Sequence, residues 1–186
     1  SVRHIYSHGI DVLGGFIVGF DNDTIDTFDR QFEFIMQSGI QTAMVGLLTA
    51  LPKTPLYERL QREGRLITGA TEAENTRIAT NILPKRMGYD ELVGGYQALQ
   101  RRLVRYGSIA GRIKNKIRYL TNPPARSDWS VRERLRILGR VIIRGIMSGG
   151  VARIFHFCRS IPFSRPRLIP LVVQDWVAGL VMRDYV

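Results

Sequence analysis

Residues 12–24, VLGGFIVGFDNDT, decide how this chain folds. The segment is apolar without strict alternation, which is typical of an interior strand of a parallel sheet that is covered on both faces. It ends in an acidic turn, Asp21-Asn22-Asp23-Thr24. Because ligands bind at the carboxyl ends of strands in parallel α/β folds, we expect a binding site at this turn.

The residues after the turn predict a βαβ unit. Residues 24–39 carry apolar side chains at helical spacing and end at a glycine, with Asp23 or Thr24 available as the N-cap. Residues 40–51, IQTAMVGLLTAL, predict a second buried strand. The order of strand, helix and strand indicates a parallel pair with a right-handed crossover. Pro55 fits the first turn of a short helix that follows over residues 55–63.

The second half of the chain is predicted to be helical and is strongly basic. The net charge is +11, and residues 101–168 hold seventeen Lys and Arg against two acidic residues. Residues 108–120 place isoleucines on one face and the basic side chains on the others, namely Arg112, Lys114, Lys116 and Arg118. Residues 130–147 predict an amphipathic helix with a capping box and a ridge of arginines four apart, namely Arg132, Arg136, Arg140 and Arg144.

The basic region is consistent with three roles. It can be a solvated surface, it can dock on an anionic membrane through residues 131–147, or it can bind nucleic acid. Nucleic acid is the least favoured of the three, because aromatic residues are few and scattered there. The sequence has no run of about eighteen uncharged apolar residues, so we expect no transmembrane helix.

The single cysteine, Cys158, excludes a disulfide framework and fits a reducing compartment. It also excludes an iron–sulfur cluster that this chain ligates alone. Its apolar and basic surroundings predict a buried thiol. The chain opens inside a helix and enters a parallel strand with no neighbour before it, so we expect it to be part of a longer protein.

Three segments together resemble the radical S-adenosylmethionine (SAM) enzymes. GFIVGFDNDT, residues 15–24, is similar to the fifth barrel strand of that family, and PKTPLY, residues 52–57, is similar to the end of the sixth. The stretch NILPKRMGYDELVGGYQALQRRL, residues 81–103, resembles the helical extension of members that also carry a cobalamin-binding domain.

The resemblance implies a fold and a domain order. The fold is α/β and then mostly α, with the last βα units of a partial (β/α) barrel followed by an α-helical C-terminal domain. Residues 1–64 would be the end of the barrel, residues 65–87 a connecting loop, and residues 88–186 the basic helical domain. The three-cysteine loop of the family is absent from these residues, so the missing N-terminal part of the same polypeptide would supply it.

The resemblance also implies cofactors and site residues. Gly15, Ile17 and Gly19 would lie against the adenine of SAM. Asp23 stands where the family usually has a glutamate, and an N-cap role for it is equally compatible with the sequence. The 4Fe–4S cluster and cobalamin would be held outside this chain. No catalytic residue and no metal ligand is assigned within it, so we expect no activity from this segment alone.

The implied function is radical C-methylation, or a related modification, of a hydrophobic or lipid-like substrate. We expect a cytoplasmic protein with peripheral association at the inner face of the membrane. One alternative is an RNA-modifying radical SAM enzyme similar to the methylthiotransferases, although those usually end in a small β-barrel rather than in helices. Another is a non-enzymatic, membrane-associated helical module.

Overall fold

The computed structural model describes residues 1–67, 80–120 and 131–186. Its elements follow from the N-terminus in the order α1 (Val2–Ser7), β1 (Leu13–Val18), α2 (Ile25–Ser38), β2 (Thr42–Leu47), α3 (Pro55–Arg62), α4 (Tyr89–Leu103), α5 (Tyr106–Tyr119), α6 (Val131–Arg140), α7 (Gly150–Ser160) and α8 (Ile169–Tyr185). A π-helical segment, Val141–Ile146, and a 3₁₀ turn, Met147–Gly149, join α6 to α7. A second 3₁₀ turn, Pro166–Leu168, precedes α8.

The predicted βαβ unit is present, and the fold is α/β followed by helices. β1 and β2 form a two-stranded parallel sheet, and the N–H of Leu48 donates to the carbonyl of Val18 at 2.8 Å. β2 is shorter than predicted because its continuation pairs with a side chain instead of a strand. The amide of Asn81 accepts from the N–H of Ala50 at 2.9 Å and donates to its carbonyl at 2.8 Å.

The described residues form two compact units. One contains Ser1–Gly14, Glu33–Ala43 and Arg101–Val186, and the other contains Gly15–Phe32 and Met44–Gln100. The second unit has a small core of Ala50, Leu60 and Ile82. An antiparallel bridge between Leu66 and Ile82 closes this unit behind α3.

The first unit has the larger core, which is built on α5, α7 and α8. Trp176 is fully buried, and its ring meets that of Phe157 edge-on with centroids 5.7 Å apart. The indole N–H of Trp176 donates to Ser160 Oγ at 2.8 Å, and this hydroxyl donates to the carbonyl of Phe157 at 2.7 Å. A buried Trp keeps its polar atom paired in this way.

A buried ion cluster lies in the same unit and contains Lys116, which the sequence analysis placed away from the isoleucine face of α5. Lys116 is fully buried, and its Nζ donates to Asp11 Oδ2 at 2.8 Å and to Asp175 Oδ1 at 2.9 Å. Arg112, also predicted on the polar side of α5, is 3% exposed and donates to the carbonyl of Leu103 at 3.1 Å. Periodicity marked these positions as polar because it cannot detect partners that lie far away in sequence.

Burial shifts the ionisation of this cluster. It raises the pKa of Asp175 to about 6, against the lowering effect of Lys116. It lowers the pKa of Arg112 to about 10, and it raises the pKa of the Tyr6 hydroxyl. In each case the charged form is disfavoured where water is excluded.

The predicted amphipathic helix over residues 130–147 is helical in the described part but changes type. α6 ends at Arg140, and the chain continues as the π-helical Val141–Ile146. Gly145 and the two glycines after Ser148 lower the α-helical propensity there. Arg153 donates to the carbonyl of Gly145. The Ser130 cap, the predicted linker at 121–128 and part of the predicted 65–87 loop lie outside the described residues.

Leu138–Ser160 is long and apolar enough to cross a membrane by length and composition. The sequence analysis predicted no transmembrane helix because it looked for a run without charged residues. This segment contains arginines, so that criterion did not detect it. Only 11% of its most apolar stretch is buried. Cys158 is exposed, contrary to prediction, because α7 turns Phe157 and Ser160 toward the core instead.

Candidate functional site

Within residues 1–67, 80–120 and 131–186, nothing covers one face of the β1–β2 pair, the open face, although the sequence predicted a strand covered on both faces. Ile17 is 48% exposed and Met44 is 66% exposed. A Cβ placed on Gly15 or Gly46 would meet no other described group within 4 Å. The sheet therefore presents a flat apolar surface with room directly above the backbone.

The other face holds these strands in place. The Gln31 amide donates to the carbonyl of Ile17 at 3.1 Å, and the Gln100 amide donates to the carbonyl of Val45 at 3.1 Å. Phe28 of α2 is 6% exposed, and its ring packs against Gly95 of α4. The two amides satisfy backbone acceptors of a sheet that has two strands in the described part of the chain.

The turn after β1 is shaped by Asp23. Its Oδ2 accepts from the N–H of Gly19 at 2.8 Å and from the N–H of Phe20 at 2.9 Å. Gly19 has φ of +111°, a conformation that strongly favours glycine. The Asp23 carboxylate thus stabilises the turn, a role that the sequence did not predict.

Two arginines neutralise the other carboxylate of the turn. Asp21 pairs with Arg59 at 2.7 Å and with Arg65 at 2.8 Å. The pKa of Asp21 is lowered, chiefly by the hydrogen bond from Arg65. Arg65 also pairs with Glu63 at 2.8 Å and donates to the carbonyl of Leu83 at 2.9 Å. The turn is therefore tied to the segment that follows α3.

The predicted site residues lie at one strand and its carboxyl end. Gly15 and Ile17 are on the open face, Gly19 is buried at the strand end, and Asp23 lies in the turn. Their contact with SAM stays a prediction. Sequence reasoning missed Arg65, and the signal for it was the carboxylate of Asp21 in the turn, which would need a cation.

Comparison with known proteins identifies a family. Residues 54–186 match the family described as "Domain of unknown function (DUF4070)". The hopanoid C-2 methylase of Rhodopseudomonas palustris is 54% identical over 67 residues, which are 36% of this chain and 13% of that protein. The bacteriochlorophyllide d C-12(1)-methyltransferase of Chlorobaculum tepidum is 30% identical over 115 residues, which are 62% of this chain and 25% of that protein.

A third relative is a protein of Synechocystis named as an uncharacterized methyltransferase, 37% identical over 86 residues, which are 46% of this chain and 16% of that protein. The chain thus covers a quarter or less of the length of these relatives. No solved structure matches it significantly. The family match extends over most of the chain, and the resemblance drawn from the sequence is confirmed. The chain belongs to the DUF4070 family, the C-terminal domain of cobalamin-binding radical SAM methylases.

Proposed function

We propose that this chain is the C-terminal part of a cobalamin-dependent radical SAM enzyme that methylates carbon in a hydrophobic, lipid-like substrate. β1 and β2 are the last strands of a partial (β/α) barrel in this proposal. The remaining barrel strands, the 4Fe–4S cluster and the cobalamin domain belong to other parts of the same polypeptide.

The open face of β1 and β2 is the observation that carries the proposal. A barrel interior needs a sheet face that is not covered by helices of its own chain, and Gly15, Ile17, Met44 and Gly46 form such a face. The opposite face is packed, so the exposure is one-sided. This arrangement supports a wall of a larger cavity rather than a finished two-layer domain.

The residues on this face fit the adenosyl part of SAM. A purine needs a flat apolar support and close approach to the backbone, and the space above Gly15 and Gly46 provides both. Ile17 supplies an aliphatic contact beside it. When bound to a reduced cluster, SAM supplies a carbon radical. This chain would bind and orient SAM and would exclude water from it. The hydrogen bonds of Asp23 would maintain the conformation of the turn for that purpose.

A hydrophobic substrate is supported by the names of two relatives. One acts on a hopanoid and the other on a bacteriochlorophyllide. Both names describe methylation of large, largely apolar molecules. This chain covers only 13% and 25% of the lengths of these two relatives. The identity of the methyl acceptor is therefore part of the proposal.

Docking of the helical region on an anionic membrane fits such a substrate. Ile143 is 64% exposed and Met147 is 58% exposed, and Arg140 and Arg144 are exposed beside them. An apolar strip flanked by arginines favours a helix that lies in the plane of an anionic surface. The protein would then be cytoplasmic and peripheral at the inner face of the membrane.

Substitution of Gly15 by Val tests the SAM-binding role. The added side chain has free space, so the melting temperature should stay within about 2 °C of the parent value, since a β-branched residue suits an exposed strand position. The branched side chain would occupy the space assigned to the purine. SAM binding to the intact, cluster-loaded protein should weaken at least tenfold, and methyl transfer from labelled SAM should fall with it.

Leu13→Val is the matched control. Leu13 is 78% exposed at the start of the same strand, away from the carboxyl end where the site is placed. It should bind SAM as the parent does. Equal SAM affinity in Gly15→Val and Leu13→Val would contradict the assignment of the open face.

Vesicle sedimentation tests whether an anionic membrane is the partner of the helical region. The intact protein should pellet with anionic vesicles and not with neutral ones, and Ile143→Asp should weaken this binding. A gel shift with structured RNA serves as the competing measurement. RNA binding without vesicle binding would overturn the membrane proposal.

A further inference from the structure

A cavity of about 430 Å³ opens at the N-terminal end of α5, and the proposed methyl transfer makes no use of it. Residues 105–108 line one side, Ala152 and His156 of α7 line another, and Arg183 of α8 completes it. All these residues belong to one compact unit. Their chemistry is that of an anion site.

The cavity is lined by Arg105 and Arg183 and, in the described part of the chain, by no carboxylate. The Arg183 guanidinium stacks on the Tyr106 ring at 4.5 Å from its centroid, and Arg153 stacks on it at 5.0 Å. Arg153 also donates to the Tyr106 hydroxyl at 2.8 Å. Among the described residues, the ion pairs involve neither these arginines nor Arg105. An anion bound here would meet charge that the fold leaves uncompensated.

The backbone of α5 adds donors to the same wall. Tyr106, Gly107 and Ser108 form its first turn, where N–H groups have no acceptor within the helix. The N-cap residue Arg105 makes no side-chain cap. The first N–H with a backbone acceptor is that of Ile109, which donates to the carbonyl of Arg105 at 2.9 Å. The positive end of a helix of this length favours an anion.

Ser108 adds a hydroxyl to the same wall. The residue lines the cavity and is 9% exposed, and its Oγ is not among the fully buried polar atoms that lack a partner. Solvent or a ligand in the cavity can therefore reach this hydroxyl, which can donate to a ligand oxygen.

The neighbouring surface indicates where the anion comes from. Val151 and Phe155 of α7 are 83% and 56% exposed, and each directly precedes a residue that lines the cavity, Ala152 and His156. Consecutive helix positions are about 100° apart, so the apolar strip borders the cavity. A phosphate in the cavity could therefore carry acyl chains that lie over this strip.

From these features we infer that the cavity binds a phosphate group, with the headgroup of an anionic phospholipid as the ligand. The cavity shares no residue with the open face of the sheet, and binding here requires neither SAM nor a cluster. Its test is therefore independent of whether the protein transfers methyl groups.

Calorimetric titration of the intact protein tests the site with three probes. These are inorganic phosphate, dihexanoyl-phosphatidylglycerol below its micelle concentration, and the zwitterionic dihexanoyl-phosphatidylcholine. The phosphatidylglycerol should bind most tightly and compete with phosphate. Rising salt should weaken both, because the contacts are charged.

The variant that tests the lining is Arg105→Gln combined with Ser108→Ala. Arg105 is exposed and Ser108 loses only its hydroxyl, so the melting temperature should not change. Affinity for phosphatidylglycerol should fall at least tenfold, as expected for loss of a charge-assisted contact and a hydroxyl. Arg118→Gln is the control, because it removes the same charge from the other end of α5.

The outcomes distinguish a lipid headgroup from a water-soluble compound as the source of the bound phosphate. Tighter binding of phosphatidylglycerol than of phosphate, lost in the double variant, supports the headgroup. Phosphate binding that the lipid does not improve, also lost in the double variant, supports a phosphate site whose ligand is water-soluble and overturns the headgroup. Absence of binding, or an equal loss in Arg118→Gln, overturns the site itself.

Discussion

Gly94 and Gly95 are neighbours in α4, and alanine should have opposite effects at the two positions. A Cβ on Gly94 would meet no described group within 4 Å, whereas a Cβ on Gly95 would lie 2.3 Å from Cε2 of Phe28 and 2.6 Å from its Cδ2 and Cζ. Both variants make the same chemical change in the same helix. The difference between them therefore isolates the cost of displacing the Phe28 ring.

The magnitudes follow from two opposing effects. Alanine in a helix interior is favoured over glycine by about 1 kcal/mol, so Gly94→Ala should raise the free energy of unfolding by about that amount. Gly95→Ala gains the same amount but overfills a site where Phe28 is 6% exposed, at a cost of about 1–3 kcal/mol. The two variants should therefore differ by about 1–3 kcal/mol, which corresponds to roughly 3–9 °C in melting temperature for a chain of this size.

Urea denaturation and thermal unfolding of the intact protein would measure this difference. Phe28→Leu in the Gly95→Ala background completes a double-mutant cycle, and the coupling energy should exceed about 0.5 kcal/mol. If Gly95→Ala proves as stable as Gly94→Ala, the Phe28 ring can move at no cost. The packing of α2 on α4 would then not contribute to the stability of the β1–β2 sheet.

Three further predictions concern the buried ions and the turn. Lys116→Met leaves the Asp11 and Asp175 carboxylates without their cation and should lower the free energy of unfolding by about 3–5 kcal/mol in urea; a loss under about 1 kcal/mol would contradict this. Burial raises the pKa of Asp175 to about 6 from 3.8, so the folded protein binds a proton between those values that the unfolded chain releases. The stability of the parent relative to Asp175→Asn should therefore fall by about 3 kcal/mol as the pH rises from about 4 to about 6, and a constant difference would be the contrary result. Asp23→Ala deprives the Gly19 and Phe20 N–H groups of their acceptor and should cost about 1–3 kcal/mol, whereas Asp23→Asn keeps an acceptor oxygen and should lose less.

Local patterns predicted most of the elements. The βαβ unit and the helices α3, α4, α5 and α8 follow from apolar spacing, prolines and glycines that act within a few residues of chain. The family resemblance rested on the same stretches, since GFIVGF and PKTPLY are each contiguous. Such features are readable because the physics that fixes them is short-ranged.

Contacts between distant residues were not predictable in this way. Asn81 closes the end of β2 from 31 positions away, and Arg65 reaches Asp21 across 44. The cavity at α5 combines residues from three helices, and its Ser108 looks like an ordinary helical serine in the sequence. The sequence shows that a residue in a periodic pattern is polar. Whether that residue is buried depends on which distant residues the fold places next to it.

The position of Lys116 has a consequence for synthesis of the chain. Its two partners lie 105 residues before it and 59 residues after it. As the chain leaves the ribosome, Asp11 and Lys116 are available long before Asp175. The ammonium can be fully paired only when α8 has emerged, so the segment before β1 cannot reach its final state earlier. Completion of the segment before β1 therefore waits until α8 has been translated.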